Sequence, residues 1–152
     1  MFKFRLQRLL DLREQKEREK AVELRHAEAA FDAARAALAG LEAVRETGRE
    51  QLLGARGGPT VGELHNLVFV LEQLDRRVAE AAASASAAEA ETARVRGDLT
   101  TAHQERRALD RLRERYEAEW RGQEVQADRQ TMDAIALARF TQSVPPDGRG
   151  AK

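Results

Sequence analysis

Two long stretches of seven-residue periodicity, separated by a short glycine-rich break, constrain the fold of this chain more than any other feature. Side chains three and four residues apart lie on one face of a helix, and an alternating spacing of three and four keeps that face against a partner helix. The first stretch runs from about residue 4 to 53, and the second from about residue 61 to 140. Repeats of this length predict two helices wound in a left-handed supercoil.

In the first stretch, the positions that would face the partner are apolar at both ends and polar in the middle. Residues 13–20 (REQKEREK) place charged side chains on three of these positions, so we expect the helix pair to be loosest there. The positions are Leu6, Leu10, Arg13, Glu17, Lys20, Leu24, Ala27, Phe31, Ala34, Leu38, Leu41, Arg45, Gly48 and Leu52.

In the second stretch, the alternating spacing of three and four residues (its frame) continues over a longer part of the chain. Beyond Trp120 the frame is lost, and only a weaker apolar pattern continues to about residue 140. The positions in the frame are Leu64, Leu67, Leu71, Leu74, Val78, Ala81, Ala85, Ala88, Thr92, Val95, Leu99, Ala102, Arg106, Leu109, Arg113, Tyr116 and Trp120.

The break between the stretches predicts a turn over residues 54–60. It contains three glycines and Pro59, which suit a helix end and a reversal. Thr60 and Glu63 then fit a capping box, in which the hydroxyl accepts from the N–H of residue 63 and the carboxylate accepts from that of residue 60. A new helix should therefore begin at about residue 61.

So short a turn makes the two helices antiparallel neighbours. If their ends are level, position i faces a position of about 115 minus i, which sets Leu41 against Leu74 and Leu6 against Leu109. We therefore predict an all-α fold in which residues 1–143 form a single antiparallel coiled-coil hairpin. The second helix is the longer one and leaves an overhang of about 25 residues without a partner. Residues 144–152, rich in proline and glycine, are predicted to be disordered.

Composition excludes several classes of function. The chain has 26 basic and 26 acidic residues, whereas a general nucleic-acid binder needs a basic surplus. It has no cysteine, no apolar run of about 18 residues that could span a membrane, and an N-terminus too charged for a signal peptide. We therefore expect a soluble cytoplasmic protein that binds no nucleic acid.

Nothing in the sequence predicts catalysis. A pair of helices has no interior in which catalytic groups could converge, and no phosphate-binding glycine loop is present. His26, His65 and His103 lack the spacing of a helical metal pair, and we interpret them as histidines on a solvent-exposed face. We expect no enzyme activity, no cofactor and no metal.

Two apolar features do not fit the frames. Residues 67–71 are five consecutive apolar residues, so Phe69 must point away from the partner helix, either as part of a binding patch or folded against the turn. The overhang is an apolar stripe that either binds another protein or frays. Its large side chains are Tyr116, Trp120, Met132, Ile135 and Phe140.

The two ends of the chain resemble a known family. The start, MFKFRLQRLLDLREQKEREKA, and the late segment DRQTMDAIALARF are similar to the corresponding ends of the flagellar type III export protein FliJ family. The resemblance implies a stalk-like antiparallel coiled coil that inserts into the hexamer of the export ATPase FliI and contacts the export gate protein FlhA. It also implies a place at the cytoplasmic face of the inner membrane, contact with export chaperones, and a part in flagellum biogenesis, motility and chemotaxis.

The resemblance assigns residues to two partners. The gate motif falls on Val70, Leu74 and Arg77, although the family has an aromatic residue at the first position and a small one at the third. With the neighbouring residues, the expected gate contacts are Phe69, Val70, Leu74, Arg77 and Ala81. The expected ATPase-ring contacts are Phe2, Phe4, Leu6, Tyr116, Trp120, Met132, Ile135 and Phe140.

Two other functions remain open from the sequence. One is a passive coiled-coil scaffold or adaptor, which could form a homodimer through the overhang. The other is the central stalk of a different rotary-type ATPase.

Overall fold

The computed structural model describes residues 1–54 and 57–143, and this part of the chain contains two α-helices and no strand. Helix α1 comprises Gln7–Leu53 and helix α2 comprises Val61–Ser143. The prediction of an all-α antiparallel hairpin with a longer second helix is confirmed. Residues 55–56 of the predicted turn and the predicted disordered tail, 144–152, lie outside the described residues.

Helix α1 begins three residues later than the periodicity predicts. No Ser, Thr, Asp or Asn precedes it to cap the free N–H groups of its first turn. Instead, residues 5–6 form a turn in which the N–H of Gln7 donates to the carbonyl of Phe4 (3.1 Å). The start of α1 is therefore set by this turn.

Helix α2 begins where the capping box predicts. The N–H of Glu63 donates to the Thr60 hydroxyl (3.2 Å), and the N–H of Thr60 donates to the Glu63 carboxylate (3.1 Å). Just before the cap, Gly57 and Gly58 have φ angles of 121° and 65°, a region that favours glycine. The local chemistry of this connection therefore follows directly from its residue types.

The chain divides into two compact units, each with its own buried side chains. One unit contains residues 1–11 together with the part of the chain from Arg107 onward, and the other is Leu12–Arg106. Both helices contribute to each unit.

In the Leu12–Arg106 unit, burial follows the predicted frames. Every predicted α1 position from Arg13 to Leu52, and every predicted α2 position from Leu67 to Arg106, is buried or half-buried. Several polar positions form hydrogen bonds within their own helix or across the pair; the buried Thr92 hydroxyl, for example, donates to the Ala88 carbonyl (2.9 Å). Nε of Arg45, by contrast, is buried without a hydrogen-bond partner. The residues predicted to face the partner helix, which form the seam of the pair, are thus correct in this unit. The fully buried ones are Val78, Ala85, Thr92, Val95 and Ala102.

In the other unit, Leu10 is only 1% exposed and Phe4 is also buried. The α2 frame slips here, because Leu112 is half-buried whereas the predicted seam residue Arg113 is exposed. The prediction that Arg113 faces the partner helix is therefore wrong. Its charged side chain stays in water, because burying an unpaired charge is unfavourable.

The predicted register is wrong by four or five residues in the Leu12–Arg106 unit. The Leu71 side chain lies over Gly48, where the prediction places Leu67, and Glu17 meets His103, where the prediction places Asp98. Seam positions recur every three to four residues, so a shift of this size still sets seam against seam. The prediction assumed that the end of α1 is level with the start of α2. Instead, residues 61–66 of α2 are all exposed, so α2 begins several residues before its first half-buried residue.

The predicted overhang begins too early, although its predicted length of about 25 residues is close to that of the fully exposed segment, residues 121–143. In the unit of residues 1–11 and 107–143, the ring of Phe4 packs at 6.2 Å from that of Tyr116, and Phe2 at 6.1 Å from Trp120. Tyr116 and Trp120 therefore have partners within the chain. From residue 121 to its end at residue 143, helix α2 has only exposed residues.

Candidate partner-binding sites

A layer of charged side chains crosses the helix pair where the first frame is polar. Nδ1 of His103 lies 2.8 Å from Oε1 of Glu17, and the Arg106 guanidinium donates to the other oxygen of the same carboxylate. Arg13 pairs with Glu105 in the same way. This stretch, predicted to be the loosest part of the pair, is thus linked by ion pairs between the helices.

The neighbours of Glu17 change its titration. Its hydrogen bond to His103 holds the pKa of the carboxyl below the ordinary value of 4.5, and Arg106 acts in the same direction. Partial burial opposes them by raising the pKa. The carboxylate is therefore stabilised in its charged form.

The ion pairs of this charged layer were not predicted from the sequence. His103 was interpreted as a solvent-exposed histidine, and half of its side chain is indeed exposed, but it also contacts Glu17 across the pair. The signal was present, since Glu17 occupies the first frame and Arg106 the second. Because the predicted register was wrong by four or five residues, it did not place these two residues opposite each other.

Within the described ranges, 1–54 and 57–143, no group of three or more His, Asp or Glu side chains could hold a metal ion. In the same ranges, neither helix contains a segment long and apolar enough to cross a membrane.

The five apolar residues at the start of α2 divide between the seam and the surface. Leu67 and Leu71 are half-buried against α1, whereas Phe69 is 58% exposed and its neighbours Val68 and Val70 are about half exposed. Phe69 therefore points away from the partner helix, as the frame requires.

An uncharged groove runs beside this surface, between α1 and α2. It has a volume of about 400 Å³, and its lining is mostly apolar, with the neutral polar side chains of Thr47 and Gln51 and no charged one. Its lining residues are Ala43, Val44, Thr47, Gly48, Gln51, Leu67, Val70, Leu71 and Leu74.

The predicted gate contacts fall on two different faces of α2. Val70, Leu74, Arg77 and Ala81 are spaced by four, seven and eleven residues, so they form one stripe along the groove side of the helix. Val70 and Leu74 line the groove itself, Arg77 is exposed, and Ala81 is half-buried. Phe69 is about 100° away from Val70 around the helix and does not line the groove.

The predicted ring contacts also divide into two groups. Phe2, Phe4, Tyr116 and Trp120 form an aromatic cluster in the unit of residues 1–11 and 107–143, and Leu6 of the same unit is partly exposed. The paired part of this unit, residues 1–11 and 107–120, carries seven basic and five acidic residues, although the whole chain is neutral. An aromatic surface with a cationic surplus suits an acidic partner.

The second group lies on the last part of α2. Residues 121–143 are all exposed, and they include large apolar side chains that no packing inside this unit covers. The predicted contacts Met132, Ile135 and Phe140 belong to this segment, and so does Val125 of the same weaker apolar pattern. Leu137, which the sequence pattern did not single out, is exposed here as well.

Comparisons with known proteins bear on the whole chain. A family model described as flagellar FliJ protein matches residues 2–144. No curated protein and no solved structure matches the chain.

Proposed function

Since this chain belongs to the flagellar FliJ protein family, we propose that it is a non-enzymatic component of flagellar type III export that binds both the export ATPase ring and the export gate. The family is one of non-catalytic coiled-coil proteins of flagellar export. The partners proposed are the FliI hexamer and FlhA, with export chaperones as further partners, and the place of action is the cytoplasmic face of the inner membrane.

The observation that carries the proposal is the amount of apolar surface that the helices leave uncovered in each unit. A helix pair stabilised only by its seam would keep large apolar side chains out of water or replace them by polar ones. Here, exposed aliphatic and aromatic side chains concentrate at the start of α2 and on residues 125–140. Surfaces of this kind are typical of proteins that work by contact.

The aromatic cluster and residues 121–143 form the proposed ATPase surface. Aromatic side chains contribute most to protein interfaces when they are rigidly held, and the Phe2–Trp120 and Phe4–Tyr116 pairs hold four rings in place. The proposed regulation of the ATPase would act through this surface.

Turnover of the cognate export ATPase tests this part of the proposal. Adding the full chain should raise ATP hydrolysis and hexamer formation, and the double variant Phe2→Ser/Trp120→Ser should lose most of the effect. Val22→Ser is a matched control, because Val22 is a half-exposed side chain of α1 outside the cluster. An ATPase that does not respond to the wild-type chain would contradict the proposal.

The stripe of Val70, Leu74, Arg77 and Ala81 is the proposed gate surface. Substituting Val70 by Ser should weaken binding to the gate protein more than substituting Phe69 by Ser, because only Val70 belongs to the stripe. Both side chains are about half exposed, so each variant should keep the helicity of the wild type. If the pair of substitutions left export intact, the chain would fit the stalk of another rotary-type ATPase better.

A passive scaffold is the second candidate, and the exposed apolar side chains of residues 125–140 favour it. In that case the segment would pair with a second copy of the chain. Sedimentation of the full chain and of a variant cut after Gln123, which keeps the partner of Phe2, distinguishes the two. A dimer that the cut abolishes, together with no effect on the ATPase, would support the scaffold.

A further inference from the structure

We infer that α1 supplies one wall of the gate-binding surface, and that the groove between the helices takes an uncharged apolar segment of the gate protein. The inference rests on the proposed function, because it extends the stripe on α2 to a site formed by both helices. Its central residue on α1 is Val44, which has no role in the family motif carried by α2.

The groove places Val44 opposite the stripe. Val44 is 55% exposed and Val70 is 50% exposed, and both line the same groove with Leu74. A ligand that covers the α2 stripe therefore also meets the side chain of Val44. Burial of both valines would remove apolar surface from water on each wall of the groove.

Gly48 explains why the floor of the groove is apolar. A Cβ atom at residue 48 would lie 3.0 Å from Cδ2 of Leu71, so the absence of a side chain lets Leu71 pack directly on the α1 backbone. Leu71 then forms the floor between Val44 and Val70. The glycine thus keeps the groove open and its floor apolar.

Ion pairs between the helices lie on the other side of the seam from the groove. Arg49 and Arg45 of α1 reach Asp75 of α2 at 3.3 and 3.6 Å, respectively. From the helical spacing, Arg49 and Asp75 lie on the flank opposite to Val44 and Val70, whereas Arg45 lies at the seam. These ion pairs therefore lie away from the groove; on the groove side, the stripe carries one charged residue, Arg77, which is exposed and does not line the groove.

The lining of the groove determines the chemistry of its occupant. None of its nine lining residues is charged, although 34% of the chain is, whereas the groove beside Glu17 and the groove beside Phe31 are both lined by acidic and basic side chains. A charged ligand group would lose its hydration here without gaining an ionic partner. The groove therefore favours aliphatic or aromatic side chains of a partner and selects against charged ones.

Binding of full-length variants to the purified cytoplasmic part of the gate protein tests the inference. Val44→Asp should weaken binding at least tenfold, as Val70→Asp should, because each puts a carboxylate into the groove. Val22→Asp is the matched control, since Val22 is 49% exposed on the same helix and lies outside this groove. It should bind like the wild type.

Two further variants keep the test independent of folding. Thr47→Glu introduces a charge on the α1 wall with a good helix former and should also weaken binding, whereas Val44→Leu keeps the wall apolar and should retain it. Circular dichroism should show equal helicity for all variants. If the wild type binds and Val44→Asp and Thr47→Glu bind equally well, the inference is wrong while the proposed function stands. If the wild type itself does not bind, the proposed function fails.

Discussion

At the scale of single residues, Glu17 shows how a polar side chain can occupy a seam position. Its side chain is mostly covered, and it gains hydrogen bonds to His103 and Arg106 on the other helix. Removing one partner from such a group leaves the others unsatisfied, which costs more than the net value of the interaction itself. Polar seam residues also favour one register over others, because a shifted register would leave them unpaired.

Substitution of Glu17 by Gln should lower the free energy of unfolding by about 1 kcal/mol at neutral pH. The neighbours lower the pKa of the folded-state carboxyl below 4.5, so the charged form contributes stability above pH 4.5 and the contribution is lost as the pH falls through the lowered pKa. The difference between wild type and variant should therefore shrink only in acid. Urea unfolding at pH 7 and at several acidic pH values measures it.

Lys20→Gln serves as the control for this prediction. Lys20 is also a polar seam residue, but its ion pair at 2.9 Å is with Glu23 on its own helix. A pair within one helix contributes little to stability, so its removal should give a much smaller difference at pH 7 and a correspondingly smaller change in acid. An unchanged difference between wild type and the Glu17 variant from neutral to strongly acidic pH would contradict the assignment.

The Thr60 cap is the second residue whose effect follows from its contacts. Substitution by Ala removes the acceptor of the Glu63 N–H and leaves the first turn of α2 without its cap. Such a loss costs about 1 kcal/mol in proteins. A thermal midpoint measured by circular dichroism should fall for Thr60→Ala, and less for Thr60→Ser, which keeps the hydroxyl.

At the scale of the helices, periodicity predicted which residues face the seam but not which residues meet. From Arg13 to Leu52 the predicted positions of α1 are all at least half-buried, because the spacing of three and four residues fixes a face of the helix. The pairing of Glu17 with His103 depends instead on how far α2 extends past the end of α1. That distance is a property of the connection, which the repeat does not encode.

Two glycines of α1 should respond differently to alanine. A Cβ at Gly40 meets no atom within 4 Å, so Gly40→Ala should stabilise the helix by about 1 kcal/mol through its propensity alone. At Gly48 the new methyl group would displace the flexible end of Leu71, which lies 3.0 Å away, and most of the gain should be offset. Urea unfolding of the two variants compares them; an equal gain at both sites would show that Leu71 does not pack on Gly48.

At the scale of the whole molecule, the two proposed partner surfaces differ in their electrostatics. The paired part of the unit that contains the aromatic cluster has a cationic surplus, whereas the groove beside Val44 is lined by neutral residues alone. Net charge predicted neither surface, because the chain is neutral as a whole and only the folded arrangement separates the charges. The exposed valines at the start of α2 were visible in the sequence, but the α1 wall opposite to them needed the register.

Ionic strength should therefore separate the two binding events. Salt screens attraction between exposed charges over a Debye length of about 8 Å at physiological ionic strength, but it leaves apolar contacts largely intact. Raising the salt concentration should weaken binding to the ATPase ring and leave binding to the gate protein nearly unchanged. Titrations of both partners at low and high salt measure this, and a similar loss for both would contradict the assignment of the surfaces.

The contact between Phe2 and Trp120 has a practical consequence. Trp120 is the chain's single tryptophan, and its indole ring is half-buried beside the phenyl ring of Phe2. The intrinsic emission of the protein thus arises from one site within the aromatic cluster. The docking of the first residues on α2, and any ligand that covers or displaces them, can be followed as a spectral change in the unlabelled protein. The uncharged groove contains no tryptophan, so its occupation should give no signal of this kind.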